Sequence, residues 1–315
     1  MAIEKRTTSM DESAVPLICI LGSTAAGKTR LAALVAAAIA GEVISADSRQ
    51  VYRQMDIGTG KDLEDYVVDG HTVPVHLIDV ADLGYEYNVY EFKCDCVAAI
   101  REIHSRGRIP ILCGGTGLYL SAILQDYQLL SAPPDPVRQA ELQALSTDQL
   151  VERLGSHGPL HNTSDVQDRR RLIRAIEIAE ADPTTRAPAL ALEASVFGIR
   201  WERRELRRRI TQRLARRLQR GLIDEVQRLL DGGLTPDQLI FYGLEYRFVT
   251  QHLRGDITRD QMFDALNAAI HQFAKRQDTW FRRMERQGID IRWLEGGNAH
   301  EVNARTIAAL FRAQT

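Results

Sequence analysis

Three groups of residues in this chain have types and spacings suited to chemistry. The first is the octet Gly22-Ser23-Thr24-Ala25-Ala26-Gly27-Lys28-Thr29. It follows the apolar run from Pro16 to Leu21 and opens an alanine-rich helical pattern that closes at Gly41. In that strand–loop–helix context, G-x-x-x-x-G-K-[ST] is a phosphate-binding loop: backbone amides and the helix N-terminus form an anion cradle, and Lys28 adds a mobile positive charge. Thr29 offers a hydroxyl to a Mg²⁺ ion bridging phosphate oxygens. The second group is a pair of aspartates, Asp47 and Asp79, each ending an apolar run (Gly41–Asp47 and Val73–Asp79). In a parallel sheet the carboxyl ends of strands face the ligand, so both compete for the metal side of the site, Asp79 through a bridging water. Asp47 reads equally well as a helix N-cap. The third group is a stretch of ten arginines from Arg200 to Arg220, balanced only by Glu202 and Glu205. Leu206, Ile210, Leu214, Leu218 and Leu222 keep an apolar helical face there, and unbalanced cationic density of this kind favours contact with phosphate.

The elements that must position these groups alternate. After the two apolar runs comes a helix from Asn88 to Gly107, with Val89, Phe92, Cys96, Ala99, Ile100 and Ile103 on one face. A buried strand, Arg108–Cys113, then turns through Gly114-Gly115-Thr116-Gly117, a second ligand-facing turn, into a helix to Gln125. A proline-rich break at Ser131–Pro136 and a loop over Gly155–Asn162 precede a helix expected from Ser164 to Glu180, with an apolar stripe of Leu172, Ile173, Ile176 and Ile178. Val196–Trp201 gives another strand, helical patterning runs on to Met284, and Ile289–Leu294 gives a last strand. Strand–helix alternation predicts an α/β fold: a parallel sheet carrying the phosphate loop, flanked by helices, with a helical insertion. The boundaries expected are a catalytic core at 15–200, completed by a strand near 286–296, and a mainly helical, RNA-facing insertion at 201–285.

Composition narrows the class. The 315 residues carry a net charge of −2, so no global basic field points to nucleic acid, but 35 arginines stand against five lysines. Arginine suits bidentate phosphate contact and base stacking, although a GC-rich genome enriches it as well. Cys19, Cys94, Cys96 and Cys113 lack metal-ligand spacing and read as reduced, buried thiols, which fits the cytoplasm. No apolar run reaches the length of a membrane span, and Met1–Ala14 is a polar leader without a signal-peptide core.

Together these pieces resemble the tRNA dimethylallyltransferases, also called tRNA isopentenyltransferases. The resemblance runs from Gly22 to Arg282. It rests on the octet, on Ser45-Ala-Asp-Ser-Arg-Gln-Val-Tyr52, Met55-Asp-Ile-Gly-Thr59, His76-Leu-Ile-Asp79 and Gly114-Gly-Thr-Gly-Leu-Tyr119, and then on Arg170-Arg-Leu-Ile-Arg-Ala-Ile-Glu177, Ile210-Thr-Gln-Arg213 and Lys275-Arg-Gln-Asp-Thr-Trp280. The chain departs from the family pattern at Ser23 (usually proline), Ala26 (often serine) and Val75 (usually histidine), and has Gly243-Leu244-Glu245-Tyr246 for the usual Gly-Tyr-Lys-Glu. No Cys/His zinc finger follows the core, as in the bacterial form.

The resemblance implies transfer of a dimethylallyl group from its diphosphate to N6 of adenosine 37, beside the tRNA anticodon, by a monomer. It implies a diphosphate held by residues 22–29, Arg213 and Mg²⁺. Asp47 becomes the general base at N6, with Thr116 orienting the amine. Ser48, Arg49, Gln50, Arg170, Arg171, Arg174, Lys275, Arg276, Gln277, Thr279, Trp280 and Arg282 become tRNA contacts, together with Asp47 and Thr116. The nearest rival is an adenylate isopentenyltransferase acting on AMP or ATP; a small-molecule kinase is more distant, and a non-catalytic RNA-binding protein fits poorly with an intact loop lysine.

Overall fold

The computed structural model describes residues 14–133, 135–157, 168–182 and 184–314. The apolar run before the octet is β1 (Val15–Gly22), and the alanine-rich pattern after it is α1 (Lys28–Ile39). Then come β2 (Gly41–Ala46), a 3₁₀ turn (Leu63–Tyr66), the short pair β3 (Val67–Val68) and β4 (His71–Thr72), β5 (Val75–His76), α2 (Val89–Ser105), β6 (Ile109–Gly114) and α3 (Gly117–Leu124). Three helices follow: α4 (Pro136–Ala144), α5 (Thr147–Ser156) and α6 (Arg169–Ala179). After β7 (Leu192–Arg200) come α7 (Arg203–Gln219), α8 (Leu222–Asp231), α9 (Pro236–Phe241), α10 (Leu244–Leu253) and the 28-residue α11 (Arg259–Arg286). Last are β8 (Ile291–Glu295) and α12 (His300–Arg312).

Six strands form one parallel sheet in the order β5-β2-β6-β1-β7-β8. β1 pairs with β6 on one side (Ile20 beside Cys113) and with β7 on the other (Ile20 beside Phe197). Both faces of β1 are covered, which is why it reads as an unbroken apolar run. Leu17, Cys19 and Leu21 pack with Phe92, Ile100 and Ile103 of α2. Ile18 and Ile20 pack with Leu31 and Val35 of α1 and Ile307 and Phe311 of α12. The chain leaves β1 in one direction to reach β2 and, after β6, in the other to reach β7, so the carboxyl ends of β1, β2 and β6 meet at a topological switch point. Open α/β sheets bind ligands there.

By compactness the chain divides into two units: residues up to Asp126 with Leu190 onward, and Tyr127–Ala189. The helices at 201–285, expected from sequence as an insertion, lie between β7 and β8 and belong to the same unit as the sheet. The smaller unit has its own core of Leu142, Leu150, Leu172, Ile173 and Ile176. Within it Glu180 accepts from Arg138 Nε at 3.0 Å and Arg153 Nε at 2.7 Å.

Several expectations need correction. The strand foreseen over Val73–Asp79 shrinks to two residues, because Leu77 (φ 62°) and Asp79 (φ 57°) adopt left-handed backbone that leaves the ladder. Ile178, placed on the apolar stripe of α6, is exposed, whereas its neighbours Leu172, Ile173 and Ile176 are buried. Cys19, Cys96 and Cys113 are buried, but Cys94 is only partly so. The loop over 158–162 and the helix start at 164–167 lie outside the described residues; α6 is described from its N-cap Asp168, whose carboxylate accepts from the Arg170 and Arg171 amides. Among the described residues no helix is long and apolar enough to cross a membrane.

Candidate active site

The N-terminus of α1 is the natural starting point. Its N-cap, Gly27, sits at φ 89° and supplies no capping side chain, so the amides of the first turn point into the site without the usual acceptor. The loop's carbonyls are tied back from outside: Trp201 Nε1 donates to Ala26 O at 3.0 Å, and Arg209 Nε to Ala25 O at 3.0 Å. Lys28 Nζ donates to Ser23 O at 2.9 Å, and desolvation lowers the Lys28 ammonium to about 8. Arg213 of α7 donates to Thr24 Oγ1, and burial, then the neighbouring Arg217 charge, pulls its guanidinium below the usual arginine value. The two departures from the loop pattern are accommodated: Ser23 Oγ donates to Asp278, and Ala26 is buried against the α1 side of the sheet.

Across the switch point, Asp47 follows β2 and Thr116 follows β6. Asp47 Oδ1 accepts from the Arg49 amide at 2.9 Å, and Thr116 Oγ1 accepts from the Ser48 amide at 3.0 Å. The N-cap reading of Asp47 fails, because a turn and not a helix follows it: Oδ1 closes that turn, and the residue lines the cavity. The Gly114–Gly117 turn is glycine-rich because neighbours leave no room. A Cβ on Gly114 would come within 2.2 Å of Ala46 O, and one on Gly117 within 2.3 Å of Trp280.

These pieces share one cavity of about 620 Å³, lined by Thr24, Lys28, Thr29 and Arg213 as well as by Asp47, Ser48, Arg49, Gln50 and Thr116. Phe241, Phe273 and Leu118 line it too and are 38–39% exposed, with Arg49 over the Phe241 ring (5.6 Å) and Arg276 over Phe273 (5.9 Å). Exposed aromatics under guanidinium groups are surfaces on which a splayed base stacks.

The remaining sequence-chosen residues are distributed differently. Gln50 is buried, accepting from Ser45 Oγ at 2.9 Å and donating to Gly60 O at 2.9 Å. Gln277 is also buried and joins the two ligand-facing turns: its Oε1 accepts from the Thr24 amide at 2.8 Å and its Nε2 donates to Gly115 O at 2.9 Å. Trp280 Nε1 donates to Ser121 Oγ at 2.9 Å. Lys275, Thr279 and Arg282 face a second cavity of about 840 Å³, with Arg200, Arg203 and Arg207. Arg170, Arg171 and Arg174 lie on α6 of the smaller unit; Arg174 Nη1 pairs with Glu177 at 3.0 Å. Asp79 does not line the cavity. Its carboxylate is taken by the buried Lys61 ammonium at 2.5 Å.

Sequence reasoning missed Arg217, Glu225 and Glu245. Arg217 stands one helical turn after Arg213 and lines the same cavity, 3.2 Å from Glu245. Glu225 is 3% exposed and accepts from the Asp56, Ile57 and Gly58 amides at 3.0, 2.7 and 2.9 Å and from Tyr246 Oη at 2.8 Å. Arg217 was legible as the i+4 partner of Arg213; Glu225 sits far along the chain from its loop and gave no local signal.

Comparison with known proteins supports the family reading. A model described as IPP transferase matches residues 50–284, and one described as isopentenyl transferase matches 15–76. The chain is 57% identical over 284 residues to a tRNA dimethylallyltransferase 2 of Syntrophotalea carbinolica, covering 89% of this chain and 94% of that one. It is 52% identical over 282 residues to a tRNA dimethylallyltransferase 1 of Geotalea daltonii, covering 89% and 91%. The crystal structure of a tRNA isopentenylpyrophosphate transferase from Bacillus halodurans superposes with a TM-score of 0.70 at 32% identity, over 95% of this chain and 96% of that one. A eukaryotic dimethylallyltransferase acting on tRNA shares the fold, with a TM-score of 0.74 at 24% identity over 95% of this chain and 78% of that one. With a family model spanning most of its length and relatives above half identity, this chain belongs to the tRNA dimethylallyltransferase family.

Proposed function

We propose that this chain transfers a dimethylallyl group from dimethylallyl diphosphate to N6 of adenosine 37 in tRNA. The observation that carries the reading is a single cavity with a cationic, amide-lined end at Lys28 and Arg213 and a carboxylate, Asp47, beside Thr116. The first end suits a diphosphate leaving group, the second an amine that must lose a proton.

The exocyclic amine of adenine is a weak nucleophile because its lone pair is delocalised into the ring. As the bond from N6 to C1 of the dimethylallyl group forms, the C1–O bond to diphosphate breaks and the electron pair leaves on that oxygen. Lys28, Arg213 and the uncapped amides of α1 stabilise the negative charge in a partly dehydrated site. The N6 proton passes to the Asp47 carboxylate, held in place by the Arg49 amide, while Thr116, fixed by the Ser48 amide, orients the amine. Thr29 lines the cavity beside the uncapped helix end, and its hydroxyl would be the hard oxygen donor this chain offers a Mg²⁺ ion there. Such an ion, when bound, would neutralise charge on the leaving diphosphate. Asp79, committed to Lys61, has no part in this reading.

Reaching this pocket requires the adenine to leave its stack, and exposed Phe241 and Phe273 at the cavity supply replacement surfaces. The basic cavity with Lys275, Arg282, Arg203 and Arg207 supports contact with the RNA backbone, and Arg170, Arg171 and Arg174 offer further phosphate donors on the smaller unit. Gln50, Gln277 and Trp280 shape the pocket by holding its turns. The tRNA substrate and four free thiols support a cytoplasmic setting.

The test mixes the protein with dimethylallyl diphosphate, Mg²⁺ and either an unmodified anticodon stem-loop or AMP, with a parallel arm in which ATP replaces the prenyl diphosphate, and reads product mass. A prenyl mass on the stem-loop is expected. Product on AMP alone would redirect the reading to free nucleotides, and phosphate transfer from ATP would overturn it.

A further inference from the structure

The diphosphate end of the cavity holds more positive charge than the resemblance accounts for. Arg213 and Arg217 are i and i+4 on α7, so one helical turn directs both guanidinium groups to the same wall. Like charges at that spacing repel, and both are withdrawn from water, which strengthens the repulsion. Arg217 is only 6% exposed. Its contacts with protein are loose: Nη1 lies 3.2 Å from Glu245 Oε1 and 3.4 Å from Gly58 O. Its Nε is buried without a hydrogen-bond partner among the described residues. A buried, unsatisfied guanidinium nitrogen costs stability, and such groups persist where a ligand completes them.

The surroundings make room for this group. A Cβ on Gly60 would fall within 1.5 Å of Arg217 Nη2, so the glycine, at φ 67°, lets the guanidinium lie against the loop. That loop is itself fixed by Glu225 through the Asp56, Ile57 and Gly58 amides. Lys28, Arg213 and Arg217 thus line one cavity, and among the described residues Arg217–Glu245 is the one ion pair these three cations make. Asp47 and Asp62 also line it, outside ion-pair distance of the three. The unpaired positive charge calls for a compact polyanion rather than a single carboxylate.

We propose that Arg217 is a second diphosphate-binding guanidinium, acting with Arg213 and Lys28, and that Glu245 holds it in the ligand-free protein. This rests on reading the Lys28 end of the cavity as the diphosphate site. When the anion enters, the Arg217 fork donates to it, exchanging a long contact with Glu245 for charge-assisted bonds to phosphate oxygens. Glu245 therefore opposes diphosphate binding by competing for the same donors.

Calorimetric titration with inorganic pyrophosphate and Mg²⁺ tests this on the full chain, with thermal melting as a check of folding. Removing both charges (Arg217→Met with Glu245→Gln) avoids leaving an unpaired buried carboxylate, and the expected loss of pyrophosphate affinity is about thirtyfold, with stem-loop affinity unchanged. Glu245→Gln alone should tighten pyrophosphate binding by about threefold, which loss of a cavity-lining negative charge also gives, so the charge-conserving Arg217→Lys is the discriminating variant. Arg217→Lys keeps the charge and the pair but loses the fork; it reads the same loss, at about fivefold, if the double variant fails to fold. Wild-type binding of pyrophosphate with no loss in the double variant and none in Arg217→Lys would overturn the role of Arg217. No binding by the wild type would overturn the diphosphate site itself, and this role with it.

Discussion

Glu225 anchors the loop behind the active site, and its replacement has a calculable consequence. Its carboxylate is the common acceptor for three backbone amides and the Tyr246 hydroxyl, all at 2.7–3.0 Å, in a position 3% exposed. In Glu225→Gln, Oε1 can go on accepting from Gly58 and Tyr246, but an NH₂ group replaces the oxygen that faces the Asp56 and Ile57 amides. Two donors then confront a third, and each unsatisfied buried amide costs about 1–3 kcal/mol, so the expected destabilisation is about 2–6 kcal/mol. Glu225→Ala strands all four donors, but the volume vacated admits water, which holds its cost to a similar range. The assay is urea unfolding followed by tryptophan fluorescence. All three tryptophans, Trp201, Trp280 and Trp293, belong to the unit that contains Glu225, so the signal reports that unit. Because Gly60 O at the end of the loop holds Gln50 Nε2, the variant should also raise the KM for the prenyl diphosphate more than it lowers kcat. A loss below about 1 kcal/mol for Glu225→Gln would refute the claim that this carboxylate fixes the loop.

Two pH dependences follow from the same reasoning. Desolvation lowers the Lys28 ammonium to about 8, and a bound anion raises it again. Once the ionisation of pyrophosphate itself is allowed for, the Lys28 contribution to its affinity should be complete below pH 7 and fall by up to about tenfold per unit above 8, with the Lys28 share of proton uptake on binding found near pH 8 as the difference between wild type and Lys28→Met in calorimetry. At the edge of the sheet, burial alone would raise the Glu42 carboxyl, but hydrogen bonds from His76 (2.7 Å) and Arg106 (2.7 Å) outweigh it and leave it below its ordinary value. Its contribution is present above the unfolded carboxylate value and is lost as pH falls through the lowered folded value. Glu42→Gln should flatten the acid limb of the stability curve, read as the urea midpoint between pH 6 and 3.

What the sequence disclosed was chiefly local. The octet, its strand and its helix are contiguous, and the unbroken apolar run of β1 follows from burial on both faces of a parallel sheet. Asp47 was legible from its pattern only as a strand-end carboxylate; its pairing with Thr116 came from the family resemblance, because β2 and β6 become neighbours only in the folded sheet. The run Val73–Asp79 misled, since apolar residues continue through left-handed backbone that hydrophobic pattern does not register. The string at 275–280 marked one helix without saying how its residues divide. Helical geometry sends Gln277 to the phosphate loop and Lys275 to another cavity. Arg217 was set apart in its run of ten arginines only by its i+4 spacing from Arg213, since composition alone does not separate a buried cation from solvated ones.

The central claim is that Asp47 takes the N6 proton in a pocket whose far end holds the leaving diphosphate. The most direct measurement is the single-turnover rate of prenyl transfer to an anticodon stem-loop by Asp47→Ala, with stem-loop affinity measured alongside. The account predicts a fall of about 10²–10⁴ in rate with affinity close to that of the wild type. Transfer at the wild-type rate would contradict it.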